Sequence, residues 1–208
     1  MTERNEPLEP SDDELLAHYR QGFREALDTL VGRHKRALYG FIANMTGGRD
    51  DADDIFQETW FRAIRNLPSY RKENFRSWLF RIGHNLMIDR IRTRRKLVSL
   101  DEPRTGDDGE GGSLADSIPA AGPGPDGEAA TREWQQKVQV AVARLPAEQR
   151  AVFLMRLQDG MPFREIAQVQ GVSMGTVLAR MRYAVKKLRQ LLGDREGISL
   201  TGQPAGGG

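Results

Sequence analysis

The chain of 208 residues has no cysteine, three histidines, an aromatic share of 7% and no long apolar run. Without cysteine there is no disulfide framework, no thiolate metal site and no cysteine nucleophile. The N-terminal stretch MTERNEPLEPSDDELL is acidic and lacks an apolar centre, so neither a signal peptide nor a transit peptide is expected. Together with the lack of a run long enough to span a bilayer, this predicts a cytoplasmic chain without membrane insertion. His18, His34 and His84 are dispersed, no glycine-rich loop follows a strand pattern, and no carboxylate pair stands out as metal-binding. We therefore expect no catalytic constellation, no metal and no cofactor.

What the chain does have is charge, unevenly spread. Residues 1–98 carry 18 Lys/Arg against 15 Asp/Glu, 99–131 carry 1 against 8, and 132–208 carry 12 against 6. Two basic lobes flank an acidic segment, which favours a polyanion as partner of the lobes and not of the middle.

The periodicity is helical throughout. Ser11 followed by Glu14 is a capping-box signature for a short helix with Leu15, Leu16 and Tyr19, ending at Gly22. A longer helix follows from Phe23 to about Met45, closed by Gly47 and Gly48. Asp50 to Asp54 open a third, with Ile55, Phe56, Trp60, Ala63, Ile64 and Leu67 at helical spacing and Pro68 stopping it. Asn74 can cap a fourth, packed through Phe75, Trp78, Leu79, Ile82, Leu86 and Ile91; the spacing of Trp78 favours the core over a stacking surface without deciding between them. That helix ends in Arg90, Arg92, Arg94, Arg95 and Lys96, more positive charge than a helix C-terminus requires, which points to phosphate binding. The segment 99–130 is rich in Gly, Pro and acid and holds too little apolar surface to offset its ordering entropy, so it reads as a flexible acidic linker. Beyond it, Trp134, Val138, Ala141, Val142 and Leu145 mark one helix, and Pro146 heads another running to about Asp159.

The stretch PFREIAQVQGVSMGTVLARMRYAVKKLRQLL, Pro162 to Leu192, reads as a helix-turn-helix. Ala167 is small where the helices cross, Gly171 can take positive φ in the turn, and Val177 is a β-branched residue for the second helix's core, joined by Ile166, Val172 and Met181. From Val177 the stripe Met181, Ala184, Val185, Leu188 and Leu192 leaves Leu178, Ala179, Arg182, Lys186 and Arg189 facing outward. An ordinary helical hairpin with a solvated basic face would show the same spacing, so the context must decide.

That context is three blocks in order: DDADDIFQETWFRAIRNL, FRSWLFRIGHNLMIDRIRTRRK and LPAEQRAVFLMRLQDGMPFREIAQVQGVSMGTVLARMRYAVKKLR. Over about residues 15–98 and 131–192 the chain resembles a bacterial RNA polymerase sigma factor of the extracytoplasmic-function group. The resemblance implies an all-α fold of two small helical domains joined by the acidic linker: 11–98, holding core polymerase and melting the minus-ten element; 99–130, the linker; 131–193, the helix-turn-helix domain reading the minus-thirty-five element; and 194–208, a mobile tail. It implies as partners core RNA polymerase, through its beta-prime clamp helices and beta flap, promoter DNA, and an anti-sigma factor, in a non-enzymatic protein associated with the nucleoid when in holoenzyme.

Carried over by position, Asp54, Ile55, Gln57, Glu58 and Phe61 would meet the polymerase. Tyr70, Arg71, Lys72, Asn74, Arg76, Asn85, Asp89, Arg92 and Arg95 would meet minus-ten DNA, the Pro68 to Asn74 loop cradling a flipped base. Ser173, Met174, Thr176, Leu178, Ala179, Arg180, Arg182, Lys186 and Lys187 would meet minus-thirty-five DNA, with Arg182 reaching a base and Arg180, Lys186 and Lys187 meeting phosphates. Gln170 stands where the family usually has an apolar residue, and Val169 is expected to take over its packing. Two rival readings remain: a conventional DNA-binding regulator with a sensing or dimerising N-terminal domain, and a recombinase or transposase subunit, against which the lack of an active-site motif weighs.

Overall fold

The computed structural model describes residues 9–46, 49–71, 74–101 and 125–193. Among these the order is α1 (Asp12–Arg20), α2 (Glu25–Thr46), α3 (Arg49–Asn66), a 3-10 turn at Leu67–Ser69, α4 (Phe75–Asp101), α5 (Pro125–Ala143), α6 (Ala147–Leu157), α7 (Phe163–Gln170) and α8 (Met174–Leu192). Helices α1 to α4 pack on one another as an N-terminal lobe, α5 to α8 as a C-terminal lobe, and α4 lies against α7 and α2 against α6.

Local chemistry accounts for most boundaries. At the start of α1 the Glu14 amide donates to Ser11 Oγ at 3.3 Å and the Ser11 amide donates to Glu14 Oε2 at 2.7 Å, closing the capping box. That second bond, stabilising the carboxylate, holds the Glu14 pKa below its usual range. Asn74 Oδ1 accepts from the Ser77 amide at 3.1 Å and caps α4. Gly22, beyond α1, has φ +102°, a backbone state that L side chains rarely take.

The N-terminal core is the meeting of the expected stripes: Leu30, Leu38, Phe41, Ile42 and Met45 of α2, Ala52, Ile55, Trp60 and Ala63 of α3, and Phe75, Leu79, Phe80, Met87 and Ile88 of α4 are buried. Phe41 and Phe80 stack with centroids 5.3 Å apart. Ile64 departs from its stripe and is exposed. α6 departs in the other direction. Its consecutive residues Ala151, Val152, Phe153, Leu154 and Met155 are all buried, which no one-sided amphipathic helix shows; α6 is enclosed between α7 and α8 on its own lobe and α2 and α4 on the other.

The helices extend into both ends of the segment read as linker, α4 to Asp101 and α5 from Pro125. Residues 102–124, the tail from 194, and Gly47, Gly48 and Lys72 lie outside the described residues.

Candidate nucleic-acid and protein interfaces

The helix-turn-helix assembles from its sequence signals. Gly171 ends α7 with φ 63° and ψ 35°, the left-handed state that admits a sharp turn, and its amide donates to Ala167 and Gln168 carbonyls. Ser173 caps α8, accepting from the Thr176 amide at 3.1 Å. Ile166, Val169, Val177, Met181, Ala184 and Leu188 are buried, while Ala167, Val172, Val185 and Leu192 are partly so. The opposite face presents Met174, Thr176, Leu178, Arg182, Lys186, Lys187 and Arg189 to solvent, with Ala179 half-buried.

Arg180 departs from the phosphate-facing position expected of it. Its guanidinium donates to Gln170 Oε1 at 2.7 Å and lies 3.3 Å from Glu148 Oε2, leaving the side chain 24% exposed. Gln170 completes the tie by donating from Nε2 to the Glu148 carbonyl at 3.0 Å. The polar residue at the usually apolar position is thus fully used: it fastens α6 to α8, while Val169 fills the core. Tyr183, 59% exposed and next to Arg182, was not singled out by the sequence. An aromatic inside the basic row RMRYAVKK was the available signal.

On α3, Asp54, Gln57 and Phe61 are exposed and Glu58 is half-buried, joined to Arg62 at 2.6 Å. Phe61 is 61% exposed, and Ile64 lies one turn on. Ile55 does not join this face. It is a core residue, because the spacing that brings Asp54 and Glu58 outward turns Ile55 toward α2 and α4. The resulting patch is apolar at its centre and acidic at its edge, a composition suited to a protein partner with a basic rim.

On α4, Ser77, Arg81, Asn85, Asp89 and Arg92 recur at three- and four-residue spacing along one face. Asn85, Asp89 and Arg92 are exposed. Arg71 and Asn74 lie exposed just before the helix. Tyr70 is a correction: it is 7% exposed, packed on Trp78 at 4.9 Å and Phe75 at 5.8 Å between centroids, so it shapes the loop from inside. Trp78 is half-buried in the same cluster. Arg20, which the sequence did not single out, donates to the Leu67 and Tyr70 carbonyls at 3.2 and 3.1 Å and holds that loop to α1. The cationic end of α4 is also less free than its composition suggested, since Arg90 and Arg94 pair with Asp51 of α3. The side chains of Arg95 and Lys96 lie outside the described residues.

The first half of the α4 row is engaged by the other lobe. Arg76 donates to the Asp159 carbonyl at 2.6 Å, Ser77 Oγ to Glu165 Oε2 at 2.9 Å, and Arg81 Nε to the Gln168 carbonyl at 3.0 Å. Glu148 receives Arg92 at 4.0 Å and has His84 Nε2 at 3.4 Å. The His84 contact first, then Arg180 and Arg92, hold the Glu148 carboxyl below its usual range against the opposing effect of burial. No group of three His, Asp or Glu residues among those described could hold a metal ion, and no described helix is long and apolar enough to cross a membrane.

A helix-turn-helix with a basic outer face, joined to a helical lobe that carries a polar row and a separate apolar patch, defines a DNA-binding protein with a second, protein-facing surface. Comparison with known proteins makes this specific. The Sigma-70 region 2 family matches residues 30–97 and Sigma-70 region 4 matches residues 135–188. The chain is 31% identical over 180 residues to the ECF RNA polymerase sigma factor SigW of Bacillus subtilis, covering 86% of this chain and 95% of that one. It is 35% identical over 186 residues to the ECF RNA polymerase sigma factor SigM of Mycobacterium tuberculosis, covering 89% and 86%. Among solved structures it resembles CnrH in complex with the cytosolic domain of CnrY, with 27% identity, a TM-score of 0.62 and coverage of 87% and 96%. The chain belongs to the extracytoplasmic-function sigma factors. Its function is that of the family, binding core RNA polymerase and directing promoter recognition and transcription initiation, and it is not an enzyme.

Proposed function

We propose that the three surfaces divide the work of initiation. The α3 patch of Asp54, Gln57, Glu58 and Phe61, to which Ile64 is added and from which Ile55 is removed, docks the beta-prime clamp helices. The α4 row with Arg71 and Asn74 follows the opened minus-ten strand. The outer face of α8 reads the minus-thirty-five element, and the C-terminal lobe also meets the beta flap. Lys72 and Arg95 belong to the minus-ten set by position in the sequence alone. The domain division at 11–98, 99–130, 131–193 and 194–208 goes with this reading.

The observation that supports it best is the separation of surface types: an exposed Phe61 beside carboxylates on α3, against exposed cations on α8. Unstacking a base costs a few kcal/mol, so melting needs a loop to receive the base and cations to hold the strand, and both adjoin the start of α4. A partner of the anti-sigma type goes with the proposal, since the similar CnrH was solved in complex with the cytosolic domain of CnrY, and a stress- or envelope-responsive gene set is part of the same reading. Transcription reconstituted with core polymerase and a promoter library tests the whole reading, with DNA strand cleavage assayed in parallel. Initiation from a defined promoter subset and no cleavage is expected. Tight duplex binding by the chain alone, with no polymerase-dependent initiation, would favour a conventional regulator.

Within α8 the roles are separable. Leu178 and Ala179 cannot hydrogen-bond a base edge but can meet thymine methyls, which leaves Arg182 to reach a guanine. Arg182→Ala should cost roughly 1–3 kcal/mol at one promoter position and relax discrimination there. Lys186→Ala should weaken all sequences alike and lower the salt slope by about one, since one fewer counterion is released. Arg180→Ala should leave the slope unchanged, because its charge is already held by Glu148 and Gln170. Binding selections on randomised minus-thirty-five sites at several salt concentrations read all three.

A further inference from the structure

We propose that the end of the chain folds back on its own C-terminal lobe, seating Ile198 and Leu200 in an apolar groove between α5 and the last turn of α8.

The groove lies where these two helices meet. Trp134, Val140 and Ala141 of α5 line it together with Leu191 and Leu192 of α8. Val140 is 55% exposed, while Trp134, Leu191 and Leu192 are half-buried. A valine left in water beside three half-covered apolar neighbours marks surface that one more apolar residue would remove from solvent. On the rim stand Lys137, paired with Glu133 at 2.6 Å, and the exposed Arg144.

The chain itself supplies an occupant of the right length, polarity and charge. α8 ends at Leu192, on the groove, and Gly193 follows with φ 75° and ψ 159°, a backbone state essentially confined to glycine that takes the chain off the helix axis at this point. The residues beyond it read DREGISLTGQPAGGG. Ile198 and Leu200 are the only large apolar side chains among them, and a spacing of two puts both on one side of an extended segment. Asp194 and Glu196, which lead to the pair, are opposite in charge to Arg144. Extended, Asp194–Ile198 spans up to about 17 Å, and Trp134–Arg144 of α5 is about 15 Å long, so the pair can reach any point of the groove.

Charge alone would send the tail elsewhere. Asp194 and Glu196 would be drawn equally to the basic flank of α8 formed by Arg182, Lys186 and Arg189, with Gln190 and Gly193 beside them. That flank offers one apolar residue, Val185, against five in the α5 groove, and the apolar pair decides between them. Seated in the groove, the tail leaves the cations of α8 to DNA and closes the α5 side of the lobe to other apolar segments. A protein that binds the lobe on that side must first displace it.

The absence of cysteine allows the test to be made by crosslinking the full chain. Ser199→Cys is combined with Val140→Cys in one variant and with Gln190→Cys in another, Val140 and Gln190 both being exposed. Circular dichroism establishes that each is folded. Disulfide formation in oxidised glutathione is followed at low protein concentration and normalised to the reactivity of each thiol alone, since the cations near Gln190 promote its thiolate. A tail without preference would close the shorter loop, to Gln190→Cys, at least as fast. A tethered segment is presented to its site at about millimolar effective concentration, so a contact with an intrinsic affinity of only about 0.1 mM is occupied roughly ten times more often than not. Closure on Val140→Cys should therefore be about tenfold faster than on Gln190→Cys, and adding Ile198→Asp with Leu200→Asp should abolish the difference. Equal rates, or faster closure on Gln190→Cys, overturn the docking. A preference that survives both aspartates overturns the assignment of Ile198 and Leu200 as the seated pair. Crosslinks that form only between chains, seen when singly substituted Val140→Cys and Ser199→Cys proteins are mixed, overturn the fold-back and give the groove to the tail of a second copy.

Discussion

Replacing Phe61 by Asp is expected to weaken binding to core polymerase by about 30-fold or more, equivalent to ~2 kcal/mol or above, while leaving the thermal midpoint of the free chain almost unchanged. The asymmetry follows from exposure. Phe61 is 61% exposed, so the fold gains little from its ring and loses little when it is removed. A large aromatic left in water on a helix, with Ile64 one turn away and Asp54, Gln57 and Glu58 around it, has the makeup of an interface anchor inside a polar rim. A carboxylate at its centre would have to be desolvated on docking without a partner placed for it. Ile55→Ala gives the opposite pattern. Ile55 is 3% exposed, and its truncation should cost roughly 2–5 kcal/mol of stability, with loss of binding only as a consequence of unfolding. Titration of labelled core polymerase with each variant, beside thermal melts, separates the two. If Phe61→Asp binds as the parent does while folded, the docking surface is elsewhere.

The contrast between Phe61 and Ile55 also shows how far the sequence could be read. Helical period assigns residues to faces, and for α2, α4 and α8 the apolar face is the buried one. It does not say which face a neighbour covers. Ile64 fits the α3 stripe by spacing, yet it lies at the stripe's edge and stays 38% exposed. Tyr70 and Arg180 fail for the same reason in reverse. Each has the side chain expected at a nucleic-acid surface, and each is claimed by a tertiary partner, Trp78 and Phe75 for the first, Glu148 and Gln170 for the second. The pairing of Arg90 and Arg94 with Asp51 likewise depends on how α3 and α4 cross, which local sequence does not record. By contrast, the capping box at Ser11, the cap at Asn74 and the left-handed Gly171 were legible because their causes lie within four residues. The run AVFLM in α6 did carry a signal of burial on all sides; what it could not name was the lobe that supplies the second side.

Asp159→Asn is expected to stabilise the chain at alkaline pH and to do so progressively less as the pH falls. Asp159 lies in the turn between α6 and α7, where its side chain is 3% exposed and its Oδ2 is buried without a hydrogen-bond partner. Burial pushes its carboxyl from the ordinary 3.8 up to about 7, and the attraction of Arg76, 3.8 Å away, offsets only part of that. A folded state that raises an acid's pKa binds its proton more tightly than the unfolded chain does. The stabilisation associated with that proton is therefore present below 3.8 and is lost as the pH rises through about 7. At ~1.4 kcal/mol for each tenfold in proton affinity, the ionised carboxylate costs up to about 4 kcal/mol above that range. Asn keeps the shape and the acceptor oxygen facing Arg76, and carries no charge to bury. The variant should thus exceed the parent by about 1–3 kcal/mol at pH 8 to 9, the lower figures allowing for water reaching the turn, and the two should converge near pH 4. Urea unfolding followed across this range measures the difference directly. A gap that widens toward acid pH, or an Asn variant less stable than the parent at pH 8 to 9, would mean that the ionised carboxylate stabilises the turn through Arg76 instead of straining it.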